Sequence, residues 1–469
     1  MIIVFIIGYI MIATEHKLQI DKAAVALLTA GFLWIIYILF APLSAPVINP
    51  VHFQDFVNHT GNISSLPLLE QCRKFIVDVQ IVESLGEISE TLFFLIGAMT
   101  IVEIIDVHGG FHIITSKITS KDKKKLLWVI SGITFFMSAA LDNMTTSIVM
   151  VMLLRRIISN YKERWIFASM IIIAANSGGA WSPIGDVTTI MLWVKGKVTA
   201  LPLITKLVLP SIVSTLVPLF FASRMLKGEI THSSKLENKG HSISEILSDS
   251  ERLFLLILGV GCLLYVPVFK QVTHLPPFVG VLIGLGILWV YTELLYRRKR
   301  EVNEDMKHRV TRVIRRIDTP TILFFLGILL SVGALQATGV LNTMGQFLND
   351  KIHNVYIINV VIGALSSVVD NVPLVAVAMG MYPLVDPANL ATIADPAFMQ
   401  HFVQNGDFWL FLAYCSGVGG SMLIIGSVSG VVVMGIEKMS FTWYLKNISL
   451  LAAAGYLAGA AVYILTALL

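Results

Sequence analysis

The chain has 469 residues, of which 56% are hydrophobic and only 14% are charged, and its mean hydropathy is +0.79. A soluble domain keeps about 25% charged residues to cover its surface, so this composition excludes a soluble protein and predicts contact with a lipid bilayer. The net charge of +4 comes from basic residues in short runs between apolar segments, as in cytoplasmic loops, and predicts no nucleic-acid partner. Cys72, Cys262 and Cys415 fit neither a disulfide framework nor a CxxC metal motif.

Ten apolar segments are predicted as membrane spans, for which a helix needs about 20 apolar residues. In chain order they are 2–15, 22–42, 88–107, 165–194, 202–225, 251–269, 277–296, 320–337, 407–436 and 445–468. The first is short and has no positive n-region or cleavage site, so we expect a retained span, with a cleaved or peripheral segment as the alternative. The acidic stretch 43–87 is expected to be a loop.

Two further apolar stretches, 126–158 and 355–382, are each interrupted by an Asp-Asn pair. Cytoplasmic loops are rich in Lys and Arg. Cationic loops flank the first stretch at 117–125 and 155–164, and a third lies at 297–316. All three are cytoplasmic only if the first stretch enters and leaves the membrane on the same side. It is therefore predicted as a re-entrant hairpin, and 355–382, whose flanks carry almost no cations, as a hairpin from the opposite face. The alternative is two ordinary spans with a basic loop outside.

The two halves of the chain share landmarks in the same order. We therefore predict two repeats, 1–228 and 251–469, joined by a cytoplasmic loop over 229–250. Each repeat holds five crossings and one hairpin, and the odd number of crossings inverts the second repeat relative to the first. Inverted repeats place a binding site at the midplane, where broken helices meet. The landmarks are Gly97 with Gly327, Asp142-Asn143 with Asp370-Asn371, and Gly178-Gly179 with Gly419-Gly420, at offsets of 230, 228 and 241 residues.

Two segments, 175–189 and 416–429, are predicted to interrupt their helices. Both are rich in Gly and small polar residues, and the first also contains a Pro, so neither favours a straight helix. An irregular backbone at membrane depth persists only inside protein or beside water, where its carbonyl oxygens are available. Together with Ser and Thr hydroxyls these are hard oxygen ligands, suited to a small alkali cation. The predicted fold is thus an all-α polytopic membrane protein with about 10 transmembrane helices, two inverted repeats, two re-entrant hairpins and two broken helices.

The two predicted hairpin tips add carboxylates and amides. An ionisable group at the bilayer centre costs roughly 2.5 kcal/mol or more and is functional by default, which favours a role for Asp142 and Asp370. Asn143 and Asn371 have the competing interpretation of simple helix caps. Glu103, late in the third span, is a possible second carboxylate, with a structural ion pair as the alternative.

The candidate ion-binding residues combine the two tips and the two broken segments. Several carboxylates on one desolvated site repel each other unless a proton or a cation neutralises them, so a proton and a sodium ion compete for the same oxygens. No catalytic residue and no resident cofactor is predicted. The candidates are Asp142, Asn143, Thr145, Asn176, Ser177, Asp186, Thr188, Asp370, Asn371, Ser416 and Ser421, with Glu103 as a possible addition.

These motifs resemble those of the ion transporter superfamily, and in particular its NhaD-type sodium/proton antiporters. The tips read Leu-Asp-Asn-Met-Thr-Thr and Val-Asp-Asn-Val-Pro-Leu, and the broken helix reads NSGGAWSPIGDVTT. Carboxylate carriers of the superfamily typically have Ser-Asn-Thr tips, so aspartates favour a cation. The resemblance implies exchange of sodium or lithium for protons across a bacterial inner membrane, an elevator-like motion and a homodimer.

Three other functions remain open. The first is an anion carrier of the same superfamily, either a sodium-coupled dicarboxylate symporter or an arsenite permease, although neither broken segment contains Lys or Arg to meet an anion. The second is an intramembrane enzyme, which the lack of HExxH and GxSxG motifs disfavours. The third is a channel, for which two hairpins from opposite faces are less suited than for alternating access.

Overall fold

The computed structural model describes residues 1–14, 18–115, 120, 122–226, 228–229, 247–299, 309–368, 371–393 and 395–468. These residues form helices joined by turns, and no strand occurs among them. The α-helices are α1 (Ile2–Ala13), α2 (Lys22–Phe40), α3 (Ala45–Ile48), α4 (Pro50–His59), α5 (Leu68–Phe75), α6 (Ile81–Val107), α7 (Gly110–Thr115), α8 (Lys123–Leu141), α9 (Asn143–Ile157), α10 (Tyr161–Ala180), α11 (Val187–Val194), α12 (Ala200–Met225), α13 (Asp249–Thr273), α14 (Pro277–Arg298), α15 (Val310–Val313), α16 (Thr319–Ala337), α17 (Val340–Ile352), α18 (Val355–Ser366), α19 (Asn371–Met381), α20 (Pro396–Met399), α21 (Asp407–Gly419), α22 (Val428–Glu437), α23 (Phe441–Asn447) and α24 (Ser449–Leu468).

The part of the chain that the structure describes has eight helices long and apolar enough to cross a membrane, which confirms an all-α polytopic membrane protein. Shorter apolar helices include the second arm of the first interrupted stretch, α9, and both arms of the second, α18 and α19. The predicted spans 165–194 and 407–436 are each divided in two, as the Gly-rich segments indicate. The eight spans are Lys22–Phe40, Leu68–Val107, Lys123–Leu141, Ala200–Met225, Asp249–Thr273, Pro277–Arg298, Thr319–Ala337 and Ser449–Leu468.

The expectation of a loop over 43–87 is wrong. The chain is continuously helical from Leu68 to Val107, including one π-helical turn at Ile76–Gln80. Phe75 and Ile76 are buried while Lys74 is exposed, so the charges of this segment lie on the outer face of an amphipathic helix. The acidic composition of the segment does not show that its charges share one helical face.

The described residues divide into two compact units, and unit 1 comprises 1–93, 318–354 and 372–384. In it α2 packs along α16, where the Trp34 indole donates to the Leu330 carbonyl at 3.1 Å. The contact is close because Gly327 has no side chain: a Cβ there would lie 2.6 Å from the carbonyl carbon of Ala26. The Tyr37 hydroxyl also donates to Gln80 Oε1 at 2.9 Å, which ties the π-helical turn to α2.

Unit 2 comprises 94–317, 355–371 and 385–469, and the helix α12 gives it two distinguishable ends. With 26 residues α12 is about 39 Å long. Before α12 begins, the amide of Thr199 donates to Asn405 Oδ1 at 2.6 Å. Beyond its other end, the Gly228 carbonyl accepts from the amide of Lys123 at 3.4 Å. We call these the Asn405 end and the Lys123 end.

The helices α8 and α9 double back on each other within unit 2. α8 begins at the Lys123 end, where Lys123 Nζ lies 2.8 Å from Glu163 at the start of α10. After a single residue, Asp142, α9 returns, and its Arg155 lies near Glu437 together with Arg164 of the same α10 terminus. The stretch predicted as a hairpin therefore leaves from the end at which it enters. Its entry from one face of the bilayer stays a prediction, as does the opposite entry of 355–382.

The two broken helices of unit 2 run antiparallel. α10 starts at the Lys123 end, and α11 leads into Thr199 at the Asn405 end. α21 starts two residues after Asn405, and α22 finishes with Glu437 beside Arg164 at the Lys123 end. This is the arrangement expected of inverted repeats. The repeat boundaries 1–228 and 251–469 stay a prediction, and most of the connecting loop 229–250 lies outside the described residues.

Candidate functional site

The tip between α8 and α9 is a strained turn held by a cap. Asp142 has φ 90° and ψ 157°, a region that residues other than Gly rarely adopt. Its carboxylate accepts from both the amide and the hydroxyl of Thr145, each at 2.8 Å, and so caps the first turn of α9. This geometry leaves the next residue, Asn143, free to point its amide towards the broken helices.

The break between α10 and α11 ends in a second cap. The hydroxyl of Ser182 donates to the Ala139 carbonyl near the end of α8 at 2.5 Å, which attaches the irregular segment to the first tip. Asp186 caps α11, and its Oδ1 accepts from the amide and the hydroxyl of Thr188 at 3.0 and 3.1 Å. The positive end of the α11 dipole thus faces a carboxylate that is only 1% exposed.

Asp186 is the acceptor on which the two tip amides converge. Asn143 Nδ2 donates to its Oδ2 at 2.8 Å. Asn371 Nδ2, from the first residue of α19, lies 3.5 Å from both carboxylate oxygens. All three side chains are buried. One carboxylate therefore joins both predicted tips to the first broken helix.

Asn176 of α10 joins this carboxylate group to the second broken helix. Its Oδ1 accepts from Asn143 Nδ2 at 3.0 Å and from the Ser429 hydroxyl at 2.8 Å. Its Nδ2 donates to the hydroxyls of Ser421 and Ser427, each at 2.9 Å. Both polar atoms of a fully buried amide are thus satisfied by four side chains, as buried polar networks require. We call Asp186, Asn143, Asn371, Asn176, Thr188, Ser421, Ser427 and Ser429 the central cluster.

The two halves of this region repeat each other contact by contact. Ser138 Oγ donates to the Ala175 carbonyl at 2.6 Å. Ser366 Oγ donates to the Ser416 carbonyl at 2.9 Å. The two donors are 228 residues apart and the two acceptors 241, the same offsets that relate the tips and the Gly pairs. The helix contacts therefore follow the internal match of the sequence.

The repeated pattern makes the central cluster symmetric in position but not in charge. Position 427 is 241 residues after Asp186, and it carries Ser427, which also caps its half-helix, α22. Ser429 stands in the same relation to Thr188. The cluster thus has a carboxylate from one half where the other half has a hydroxyl.

Six of the predicted site residues belong to the central cluster, and others lie elsewhere. Asp142 and Thr145 pair with each other in the tip, and Asp370 lies outside the described residues. The Ser177 hydroxyl accepts from Ser214 of α12 at 3.0 Å. The Ser416 hydroxyl donates to the Leu412 carbonyl within its own helix at 2.7 Å. The six are Asn143, Asn176, Asp186, Thr188, Asn371 and Ser421.

Glu103 pairs with a cation outside the central cluster, since its Oε1 lies 3.9 Å from Arg316. The pairing matches the structural alternative for this residue.

Two cluster members, Ser427 and Ser429, were missing from the predicted set. Their offset of 241 residues from Asp186 and Thr188 was the signal that identifies them.

The central cluster is built from oxygen ligands, with one carboxylate, three amides and four hydroxyls. Within the described ranges, no three or more His, Cys, Asp and Glu residues are grouped so that they could hold a metal ion together. Carboxylate, amide and hydroxyl oxygens suit hard cations, which take several oxygen ligands. The arrangement is therefore able to accept a small cation or a proton at Asp186.

Comparison with known proteins places the chain in a family. The family model described as "Citrate transporter" matches residues 9–399. The chain belongs to this citrate transporter family. Its relatives include "Sodium/proton antiporter 1" of Arabidopsis thaliana, 41% identical over 99% of this chain and 72% of the relative. "Sodium/proton antiporter 2" of the same plant is 39% identical over 99% of this chain and 98% of its own length.

One bacterial relative of the chain carries the NhaD name. The "Na(+)/H(+) antiporter NhaD" of Vibrio cholerae is 28% identical over 94% of this chain and 86% of its own length. These relatives confirm the resemblance to NhaD-type antiporters that the tip motifs indicated. Members of the family are transporters, and the family name and the names of these relatives point to different substrates.

Proposed function

We propose that the protein exchanges sodium, or lithium, for protons across a membrane. The observation that carries the proposal is the buried carboxylate of Asp186, which the amides of Asn143 and Asn371 approach from the two tips. An acid group at this depth is functional by default, and here it is surrounded by further oxygen ligands. The names of the relatives support the same activity.

The proposed mechanism is competition for one set of oxygens. A deprotonated Asp186 binds a sodium ion, with the Ser427 hydroxyl and carbonyl oxygens of the broken segments as further ligands. Asn143 and Asn371 donate through Nδ2 to the ion-free carboxylate, and their amides rotate to present Oδ1 when sodium binds. A proton on the same carboxylate removes its charge and releases the cation. Because the transported ions are the only ligands needed, no resident cofactor takes part. Asp142 and Asp370 remain proposed as carboxylates of the tips that exchange protons near this site.

The test is sodium-driven proton movement in proteoliposomes with a trapped pH-sensitive dye. Adding sodium outside wild-type vesicles should make the lumen alkaline, because each entering sodium ion expels protons. Asp186→Asn keeps the shape and the cap but does not exchange a proton, so it should reduce the signal to that of protein-free vesicles. Glu103→Gln, the matched control, should retain exchange because Glu103 pairs with Arg316. Equal signals from wild type and Asp186→Asn would refute the proposal.

The second candidate is a citrate or dicarboxylate carrier, favoured by the description of the family model. The geometry argues against it, because Asp186 already accepts from the two tip amides and would repel a carboxylate substrate. Labelled citrate should therefore not accumulate in the same vesicles under a sodium gradient. Accumulation of citrate that depends on sodium would replace the first proposal with the second.

We further propose a bacterial inner membrane as the location and a homodimer as the assembly, both implied by the resemblance to NhaD-type proteins. Membrane fractionation of the native cells tests the location. Crosslinking in native membranes followed by mass measurement tests the assembly, and a purely monomeric product would overturn it.

A further inference from the structure

A buried ion pair lies at the Lys123 end of unit 2, away from the central cluster. Glu437 is the last residue of α22, and its side chain is 0% exposed. Arg164 Nε lies 2.8 Å from its Oε2, while Arg155, which is half exposed, approaches Oε1 only to 3.8 Å. The Trp165 indole donates to the Glu437 backbone carbonyl at 3.1 Å. Two adjacent residues of α10 thus hold the end of α22.

The same arginine also holds the end of α9. Arg164 Nη1 donates to the carbonyls of Ile158 and Ser159 at 3.0 and 3.2 Å, immediately after the last residue of that helix. One guanidinium group therefore connects α9, α10 and α22. A planar group with five N–H donors is suited to such a junction, and a lysine would not make all these bonds.

The three helices joined at this pair are those that carry much of the central cluster at their other ends. Asn143 begins α9, Asn176 lies near the end of α10, and Ser427 with Ser429 begins α22. With ten residues α22 is about 15 Å long, so the pair and the cluster are separated by about that distance. A rigid helix of this length transmits a displacement at one end to the other.

We propose that Arg164 and Glu437 are positioning residues for the cation site, acting through α9, α10 and α22. This inference rests on the proposed exchange function. Neither residue contacts the transported ion. Their pairing sets the position of α22 along α10 and hence the distances from Asn176 to the hydroxyls of Ser427 and Ser429. Loss of the pair changes how tightly the cation binds, and leaves the carboxylate Asp186 in place.

The experiment measures the sodium dependence of proton flux in proteoliposomes for Glu437→Gln, Arg164→Gln and the double variant. Substitutions that act on a distant site through packed helices change its affinity about 2–30-fold, so each single variant should raise the KM for sodium by a factor in that range while the maximal rate changes little. In the double variant no unpaired charge is left buried, so its KM should lie below that of either single variant.

The matched control is Lys299→Gln, which breaks another short ion pair of unit 2. Lys299 Nζ lies 2.6 Å from Glu251, and this pair joins α13 and α14, which carry no cluster residue. Its KM should equal that of the wild type. The inference is overturned if the single variants lose maximal rate and folded protein while their KM for sodium is unchanged. It is also overturned if Lys299→Gln raises the KM equally, or if the KM of the double variant rises by the product of the two single fold-changes. Absence of sodium-dependent flux in the wild type would instead refute the proposed function.

Discussion

At the scale of single residues, the central cluster depends on which hydroxyls face Asn176. Ser427 and Ser429 bond its amide, whereas Ser416 bonds a carbonyl of its own helix. We expect Ser427→Ala to raise the KM for sodium, because it removes both a hydrogen-bond partner of the buried Asn176 amide and a potential ligand of the ion. A buried polar group left without a partner costs about 1–3 kcal/mol of free energy. Ser416→Ala, the matched control, should leave the KM within about twofold. Sodium titration of proton flux measures both, and an equal effect of the two would contradict the geometry.

A second expectation at this scale concerns pH and the single carboxylate of the central cluster. Because Asp186 must lose a proton for each sodium ion it binds, the apparent KM for sodium should rise about tenfold for each unit that pH falls below the carboxylate pKa. Flux measured over a pH series at several sodium concentrations gives this slope. A KM for sodium that does not change with pH would contradict the expectation, whereas a hundredfold rise per unit would show that a carboxylate of the tips, Asp142 or Asp370, loses a proton together with Asp186.

At the scale of elements, the broken helices pack so closely that two equivalent positions accept only Gly. A Cβ at Gly178 would overlap the Phe135 carbonyl oxygen of α8, and one at Gly419 would overlap the Gly363 carbonyl oxygen of α18. Overpacking of this kind costs about 1–3 kcal/mol, so Gly178→Ala and Gly419→Ala should each lower the melting temperature in detergent.

The control for this element-scale prediction is Gly132→Ala in the middle of α8. Nothing lies within 4 Å of a Cβ built at Gly132. Because Ala favours a helix over Gly by up to about 1 kcal/mol, this variant should be as stable as the wild type or slightly more so. Equal destabilisation by all three substitutions would show that the close backbone contacts are not the cause.

At the scale of the whole molecule, the ends of α12 predict which residues are accessible from each face of the membrane. Lys124 and Lys162 lie on exposed positions at the Lys123 end, and Gln404 is exposed at the Asn405 end. The helix is longer than the roughly 30 Å apolar layer of a bilayer, so we expect its two ends to lie on opposite sides. An impermeant thiol reagent should label Lys124→Cys and Lys162→Cys from the cytoplasmic face and Gln404→Cys from the other.

The native cysteines favour a low background in this labelling experiment, since Cys72, Cys262 and Cys415 are all buried and unpaired with one another. Labelling of Lys124→Cys and Lys162→Cys from different faces would contradict a hairpin over 126–158. Labelling of all three variants from the same face would contradict the antiparallel course of the two broken helices.

The sequence by itself determined the membrane class, the positions of both helix breaks and the match between the Asp-Asn pairs and between the Gly pairs of the two halves. These properties are local: hydropathy, Gly and Pro content, and a constant offset between matching motifs are all read without knowing which segments touch. Over 43–87 composition misleads, because a segment that mixes charged and apolar residues has the same composition whether it is a loop or an amphipathic helix with its charges on one face.

Only the tertiary structure decided which polar side chains meet. Ser177 follows Asn176 directly, yet successive helix residues differ in direction by about 100°, so Ser177 bonds α12 while Asn176 faces the second broken helix. Asp142 caps its own helix, whereas Asp186, contributed by a different segment, receives the amides of both tips. Convergence of residues 185 positions apart is a property of helix packing, which no local pattern contains.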